Sequence, residues 1–129
     1  MSQRIEASDI KFGIEIETHM SQQFEPYVGP YHRGKRQSWL PAYNGYMWKA
    51  ERDCSIDYPL ERTDCEFVSP ILCGRIGMEN AMQAIRKIKQ RDAMVNDTCG
   101  IHVSVNFEGD DKALARLINL VAQIGRAHV

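Results

Sequence analysis

The stretch Phe12–Thr18, "FGIEIET", alternates apolar and polar side chains with the two-residue period of a β-strand. Its apolar residues therefore face one side of the strand, while Glu15 and Glu17 face the other. Strand geometry places two side chains at alternate positions about 6 to 7 Å apart. Carboxylates that close repel each other unless a positive group lies between or over them. The sequence therefore predicts a positively charged partner beside Glu15 and Glu17.

The composition indicates one soluble cytoplasmic domain with a modest core. The chain has 129 residues, of which 43% are hydrophobic and 26% are charged, and its formal net charge is −1. That near-neutral balance argues against nucleic acid or a membrane surface as the main partner. No apolar run is long enough for a membrane span, and the N-terminus lacks the apolar core of a signal peptide.

Four cysteines are interpreted as reduced thiols and as small buried hydrophobic residues. The absence of a CxxC pair argues against a zinc knuckle, and a disulfide stays open if the chain is exported. These residues are Cys54, Cys65, Cys73 and Cys99.

Four strands and two helices are predicted. The strands are Ile10–Thr18, Tyr46–Asp53, Asp64–Ser69 and Gly100–Phe107, and the helices are Met78–Val95 and Asp110–Ile124. Each helix carries an apolar stripe that we expect to pack in the core: Met78, Met82, Ile85 and Ile88 in the first, Leu114, Leu117, Ile118 and Val121 in the second. This order predicts an α+β fold, an antiparallel sheet with helices packed on one face.

The opposite, polar face of the sheet is the predicted site. It carries Glu15, Glu17, Glu66 and His102, with Asp53 at the end of the second strand. Several oxygen ligands and few sulfurs favour Mg²⁺ or Mn²⁺ over zinc, and magnesium held by carboxylates most often binds phosphates. The alternative is a solvated outer face without a metal.

The long segment from residue 20 to residue 43 is predicted to be irregular. Its basic residues Arg33, Lys35 and Arg36 could reach a phosphate if the segment folds over the site, although charges in such a loop are more often simply solvated.

Four motifs in order resemble those of the amidoligase family, which is related to glutamine synthetase and glutamate–cysteine ligase. They are "FGIEIET", "WKAERDCSI", "CEFVSPIL" and "NDTCGIHVSVNF", at residues 12–18, 48–56, 65–72 and 96–107. The resemblance implies a glutamine-synthetase-like fold. It also implies an ATP-dependent ligase that joins a carboxylate to an amine, each a small molecule or peptide, through an acyl phosphate. Related ligases often assemble, so a homo-oligomer is a further expectation.

The resemblance also assigns roles by motif. Metal ligands would be Glu15, Glu17, Glu66 and His102, and the ATP-binding residues would be Glu15, Glu17, His102 and Ser104. Catalytic roles would fall to Glu66, Asp53 and His102, and substrate contacts to Asp53, Ser55 and Ser69. The family strand usually carries two histidines, and Ser104 stands in the place of the second. A serine cannot replace an imidazole as a ligand of similar strength.

The final residues 123–129, "QIGRAHV", match one reading frame of a widely used sequencing adapter. We therefore expect residues 1–122 to be the N-terminal part of a single catalytic domain, followed by a non-native tail. The alternative is a natural helix end, with Gly125 as its C-cap.

Two other functions stay open on the sequence alone. The same carboxylate–histidine face could serve a metal-dependent phosphoester hydrolase or nuclease, which would cleave its substrate with metal-bound water. It could also belong to a non-catalytic binding module, whose carboxylates are merely solvated.

Overall fold

Strand β1 (Lys11–Ser21) is paired along both of its edges in the computed structural model, which describes residues 10–106, 110–112, 114–116, 118–119 and 122. The other strands are β2 (Lys35–Arg36), β3 (Lys49–Glu51), β4 (Arg62–Val68), β5 (Leu72–Cys73) and β6 (Ile101–Asn106). A 3₁₀ helix spans Gln22–Tyr27, and helix α1 spans Gly74–Gln90.

The described strands form one antiparallel sheet around β1. Phe12 pairs with Leu72 of β5 and with Val105 of β6, so β5 and β6 lie at opposite edges of β1. Strand β4 shares the edge of β5, and β3 and then β2 extend the sheet beyond β4. This arrangement confirms the predicted α+β class and the antiparallel sheet.

Helix α1 packs on the apolar face of the sheet through small residues. Gly77, Ala81 and Ala84 are buried, and a Cβ added at Gly77 would lie 3.0 Å from the Cβ of Leu72. Small side chains let the helix axis approach the sheet closely, so larger residues do not fit on that side. The buried residues from the sheet and flanking loops include Phe12, Ile14, Ile16, Met20, Trp48, Ala50, Cys65, Phe67 and Leu72.

The predicted apolar stripe of this helix is therefore wrong for three of its four residues. Met78, Met82 and Ile85 are 51%, 45% and 36% exposed, and only Ile88 belongs to the core. Spacing alone did not distinguish the large apolar stripe from the neighbouring stripe of small residues. The true contact face also contains Asn80, which is 8% exposed.

Trp48 is fully buried and anchors the start of β3 to helix α1. Its indole N–H donates a 2.8 Å hydrogen bond to Oδ1 of Asn80. The amide nitrogen of Asn80 in turn donates to the carbonyl oxygens of Pro41 and Ala42. The amide thus joins the helix, the start of β3 and the chain before it.

Several element boundaries differ from the prediction. β1 continues to Ser21, and the second predicted strand contracts to β3. The segment predicted to be irregular contains the 3₁₀ helix and β2, while α1 begins four residues before the predicted start. β2 and β5 have two residues each, too short for a detectable periodicity.

Of the four cysteines, only Cys65 is buried as predicted. Cys54 is exposed, and Cys73 and Cys99 are of intermediate exposure. The prediction of buried thiols is wrong for Cys54 because it lies in the loop after β3 instead of inside a strand.

The described residues between 111 and 122 are helical, as predicted. Leu114 and Ile118 are 42% and 59% exposed, so their predicted place in the core is wrong. Leu117, Val121 and the adapter-like tail lie outside the described residues. Among the described helices, none is long and apolar enough to cross a membrane.

Candidate functional site

Three glutamates lie directly opposite one another on the polar face of the sheet. Glu51 of β3 is paired with Glu66 of β4, and Glu66 is paired with Glu17 of β1. Directly opposed residues in an antiparallel ladder have Cβ atoms about 4.5 to 5.5 Å apart and share a face, and like charges in such pairs are destabilising. This row of carboxylates is therefore stable only if a proton or a cation reduces its charge.

His102 is the side chain that lies beside both glutamates of the first strand. Glu15 is paired with His102 of β6, whose Nδ1 lies 3.7 Å from Oε2 of Glu15. Its Nε2 lies 3.5 Å from Oε1 of Glu17. The imidazole thus lies between the two glutamates and within 4 Å of an oxygen of each.

Burial raises the pKa of Glu66 to about 8, and a hydrogen bond with Asp53 and the charges of Glu15, Asp53 and Glu51 act in the same direction. Glu66 is therefore protonated at neutral pH and shares its proton with Asp53. Burial also raises the pKa of Glu51. Two neighbouring carboxyls, Glu66 and Glu51, thus resist ionisation when no cation is present.

Asp53 stays ionised because of the turn that follows β3. Burial acts to raise the pKa of Asp53. Hydrogen bonds from the hydroxyl and the backbone N–H of Ser55, and a further hydrogen bond from Glu66, outweigh burial and hold the pKa below its ordinary value. The hydroxyl and the N–H of Ser55 lie 2.6 and 2.9 Å from Oδ1 of Asp53. Ser55 therefore orients Asp53.

A buried carboxylate lies beneath this turn. Asp64 is 3% exposed and accepts a 2.7 Å hydrogen bond from the backbone N–H of Asp53. Its Oδ1 lies 2.8 Å from Nη2 of Arg52, and this ion pair raises the pKa of the guanidinium. Asp64 thus positions the turn that carries Asp53.

A second network holds the far end of β1. Arg62 donates from Nε to Nδ1 of His19 at 3.0 Å, and from Nη1 to the carboxylate of Asp92 at 3.1 Å. Burial and the charge of Arg62 lower the pKa of His19. The imidazole of His19 is therefore neutral, with its proton on Nε2.

Two predicted site residues lie away from the carboxylate row. Ser69 accepts a 2.8 Å hydrogen bond from the N–H of Ile14 and donates one of 2.8 Å to the carbonyl of Pro70, so its hydroxyl joins β4 to β1. Ser104 is exposed and opposite Gly13, two pairs beyond Glu15 and His102. Their roles toward substrate and nucleotide stay predictions.

The donor set fits a hard divalent cation, although its atoms do not yet converge. The row offers carboxylate oxygens with one imidazole, the ligands that Mg²⁺ and Mn²⁺ accept. A cation would also replace the proton that Glu66 retains. In the part of the chain that the structure describes, no three of the His, Cys, Asp and Glu side chains are arranged to hold a metal ion. Binding would therefore require the glutamates to rotate toward a common point.

Glu51, Asp64 and His19 are residues that sequence reasoning missed. Glu51 alternates with the buried Ala50, a signal that was present in "KAE", but its place opposite Glu66 depends on strand register. The networks of Asp64 and His19 join residues far apart in the sequence, so no local pattern predicts them.

The raised pKa of Glu66 predicts that stability falls as the pH rises. Below its ordinary value of 4.5 the carboxyl is protonated in both folded and unfolded chains. Between 4.5 and about 8 only the folded chain keeps the proton, so each step up in pH favours unfolding. We expect the metal-free free energy of unfolding, measured by urea denaturation, to decline over this window relative to Glu66→Gln.

The glutamine variant retains His19, so the difference between the two proteins isolates Glu66. Added Mg²⁺ should stabilise the unmodified protein more at pH 8.5 than at pH 6, because protons compete with the metal. Parallel stability profiles for the two proteins would contradict the assignment of the proton to Glu66.

Comparison with known proteins supports the resemblance seen in the four motifs. Searches of curated proteins and of solved structures give no significant match. A family model described as "Putative amidoligase enzyme" matches residues 8–127 of the 129, which include every residue of the carboxylate row. The chain therefore belongs to this amidoligase family.

Proposed function

We propose that the polar face belongs to the active site of an ATP-dependent carboxylate–amine ligase with a glutamine-synthetase-like fold. The observation that carries this proposal is the row Glu51–Glu66–Glu17 with His102 beside it, in a chain of the amidoligase family. An antiparallel sheet with its core on one face and a carboxylate cluster on the other supports the fold assignment.

The residues that would hold Mg²⁺ or Mn²⁺ are Glu15, Glu17, Glu51, Glu66 and His102. When bound, the metal neutralises phosphate charge and orients the transferring group. Proton uptake at Glu66 keeps the row stable before metal and nucleotide arrive, and rotation of the glutamates then brings their oxygens together.

The proposed reaction has two steps. A carboxylate oxygen of the acid attacks the γ-phosphorus of ATP, the bond to the β-phosphate oxygen breaks, and ADP leaves. The amine nitrogen then attacks the acyl carbon, inorganic phosphate leaves, and the nitrogen loses a proton. Asp53 is ionised and therefore available to accept that proton.

Trapping of the acyl phosphate tests this proposal. The protein is incubated with Mg²⁺, ATP and a panel of amino-acid and peptide carboxylates, with hydroxylamine as the amine. We expect ADP and a hydroxamate to form in equal amounts with the correct acid, and neither to form when the acid is omitted. Hydroxylamine needs no general base, so Asp53→Asn is tested with an amino-acid amine in its place. Asp53→Asn should then lower the rate of amide formation by about 10²-fold, the lower end of a general base's contribution, because the lowered pKa of Asp53 makes it a weak proton acceptor.

The same assay separates the ligase from a hydrolase. Metal-dependent cleavage of a phosphodiester such as bis(p-nitrophenyl) phosphate without ATP would overturn the ligase assignment. Absence of both activities over the whole panel would favour a binding module.

A further inference from the structure

Two cations lie opposite each other at the outer end of the same polar face. Arg36 of β2 is paired with Lys49 of β3, Lys49 with Val68 of β4, and Val68 with Glu15 of β1. Opposed residues share a face, so this row runs from two cations to the Glu15–His102 pair. It lies beside the glutamate row, two residues along the strands and therefore on the same face.

Among the described residues the pair of cations forms no ion pair, although the charge of Lys49 acts on Glu51 and opposes the burial that raises the pKa of that carboxyl. Arg36 and Lys49 are exposed, and among the described residues neither forms an ion pair or a side-chain hydrogen bond. Like charges directly opposed across a ladder destabilise the pairing. An anion placed over both side chains would remove that repulsion.

The backbone holds the pair in place. Gly29 donates its N–H to the carbonyl of Ala50 and accepts from the N–H of Arg52, both at 2.9 Å. A Cβ at Gly34 would lie 2.8 Å from the Cβ of Lys49, so glycine permits β2 to approach β3 this closely. The pairing of β2 with β3 therefore fixes the backbone position of Arg36 beside Lys49, whereas the position of a charged residue in an irregular loop is not fixed in this way.

The arrangement of charge specifies the anion. Lys49 and Glu15 are separated by two strand spacings, roughly 10 Å. A ligand that bridges them must present negative charge to Arg36 and Lys49 and must carry a cation to the glutamates. A metal-bound polyphosphate meets both conditions. A nucleic-acid backbone, in contrast, would run its phosphates over the uncompensated carboxylate row.

We propose that Arg36 and Lys49 bind the phosphate groups of a metal-bound nucleoside triphosphate at the basic end of the polar face. This inference rests on the proposed ligase function and assigns the residues that receive its nucleotide. The guanidinium binds two phosphate oxygens at once, and the ammonium acts as a point charge. Val68 between the cations and Glu15 leaves the intervening surface neutral.

Equilibrium binding of Mg·ATP and of magnesium tripolyphosphate tests the assignment. Arg36→Gln and Lys49→Gln are each expected to weaken both ligands about tenfold, the factor that corresponds to about 1.4 kcal/mol. Both side chains are exposed, so the variants should fold normally. Lys35→Gln is the matched control, because its ammonium donates to the carbonyl of Pro26 and its side chain belongs to the opposite face. The Lys35→Gln substitution should change the affinity less than about twofold, because salt screens the effect of a distant surface charge.

Mn²⁺ binding without nucleotide provides a second readout. Loss of a cation near the carboxylates should leave Mn²⁺ affinity unchanged or slightly higher, whereas general damage to the site would lower it. Unaltered nucleotide affinity in both glutamine variants, or no binding of ATP and tripolyphosphate by the unmodified protein, would overturn the proposal.

The outcomes also separate this inference from the ligase assignment. Nucleotide binding that depends on Arg36 and Lys49, without hydroxamate formation from any acid, would retain the phosphate site and remove the ligase function. Hydroxamate formation with normal nucleotide affinity in both variants would retain the ligase and remove the phosphate site.

Discussion

Glu17→Gln is expected to lower the affinity for Mn²⁺ by at least about 100-fold. Substitution of groups that merely support metal ligands costs about 10- to 100-fold, so loss of a direct ligand should cost no less. Glu17 is 7% exposed and lies between Glu66 and His102, which makes it the most central carboxylate of the cluster. Titration of Mn²⁺ followed by electron paramagnetic resonance measures the affinity.

The same substitution should not destabilise the metal-free protein. Glutamine preserves the shape of the side chain and removes one charge from the crowded row, so the free energy of unfolding should stay equal or rise. Glu79→Gln is the control, since this exposed residue lies on α1 at the opposite face. Undiminished Mn²⁺ binding by Glu17→Gln would show that the metal site lies elsewhere.

Trp48→Ala is expected to lower the free energy of unfolding by about 3 to 5 kcal/mol, the usual cost of removing a large buried aromatic side chain. The side chain is fully buried, and its loss also leaves Oδ1 of Asn80 without a donor. The total free energy of unfolding of a domain is only about 5 to 15 kcal/mol. A substantial fraction of this variant should therefore be unfolded on mild heating. Urea denaturation followed by circular dichroism measures the change.

Two further variants separate the contribution of the indole hydrogen bond from that of burying the aromatic ring. Trp48→Phe keeps most of the ring and deletes the N–H, so it should cost about 1 to 3 kcal/mol, the penalty for a buried acceptor left unpaired. Tyr46→Ala removes an aromatic residue that is 70% exposed and should change stability by less than about 0.5 kcal/mol. Equal losses for Trp48→Ala and Tyr46→Ala would refute the anchoring role of Trp48.

The strongly alternating strands were predictable because their pattern is local. In β1 and β6 the side-chain period shows which residues share a face, and this placed Glu15, Glu17 and His102 together before any pairing was known. The helix stripe failed for the opposite reason. Both Met82 and Ala81 lie at helical spacing, and the space between α1 and the sheet decides which of them is buried.

The polar face shows the same limit. Alternation identifies Glu51 and Glu66 as outward-facing, but a register shift of one residue would have separated them. Their direct opposition, and hence the raised pKa of Glu66, depends on the pairing of β3 with β4.

By itself, the sequence determined the α+β class, the first and last strands with their polar faces, and the order of motifs that places the chain in the amidoligase family. Those properties follow from neighbouring residues along the chain. Only the tertiary structure decided that Glu51 completes the carboxylate row and that Arg36 faces Lys49. Such contacts join residues on different strands, and their distances are set by hydrogen-bonded register, a property that no single segment contains.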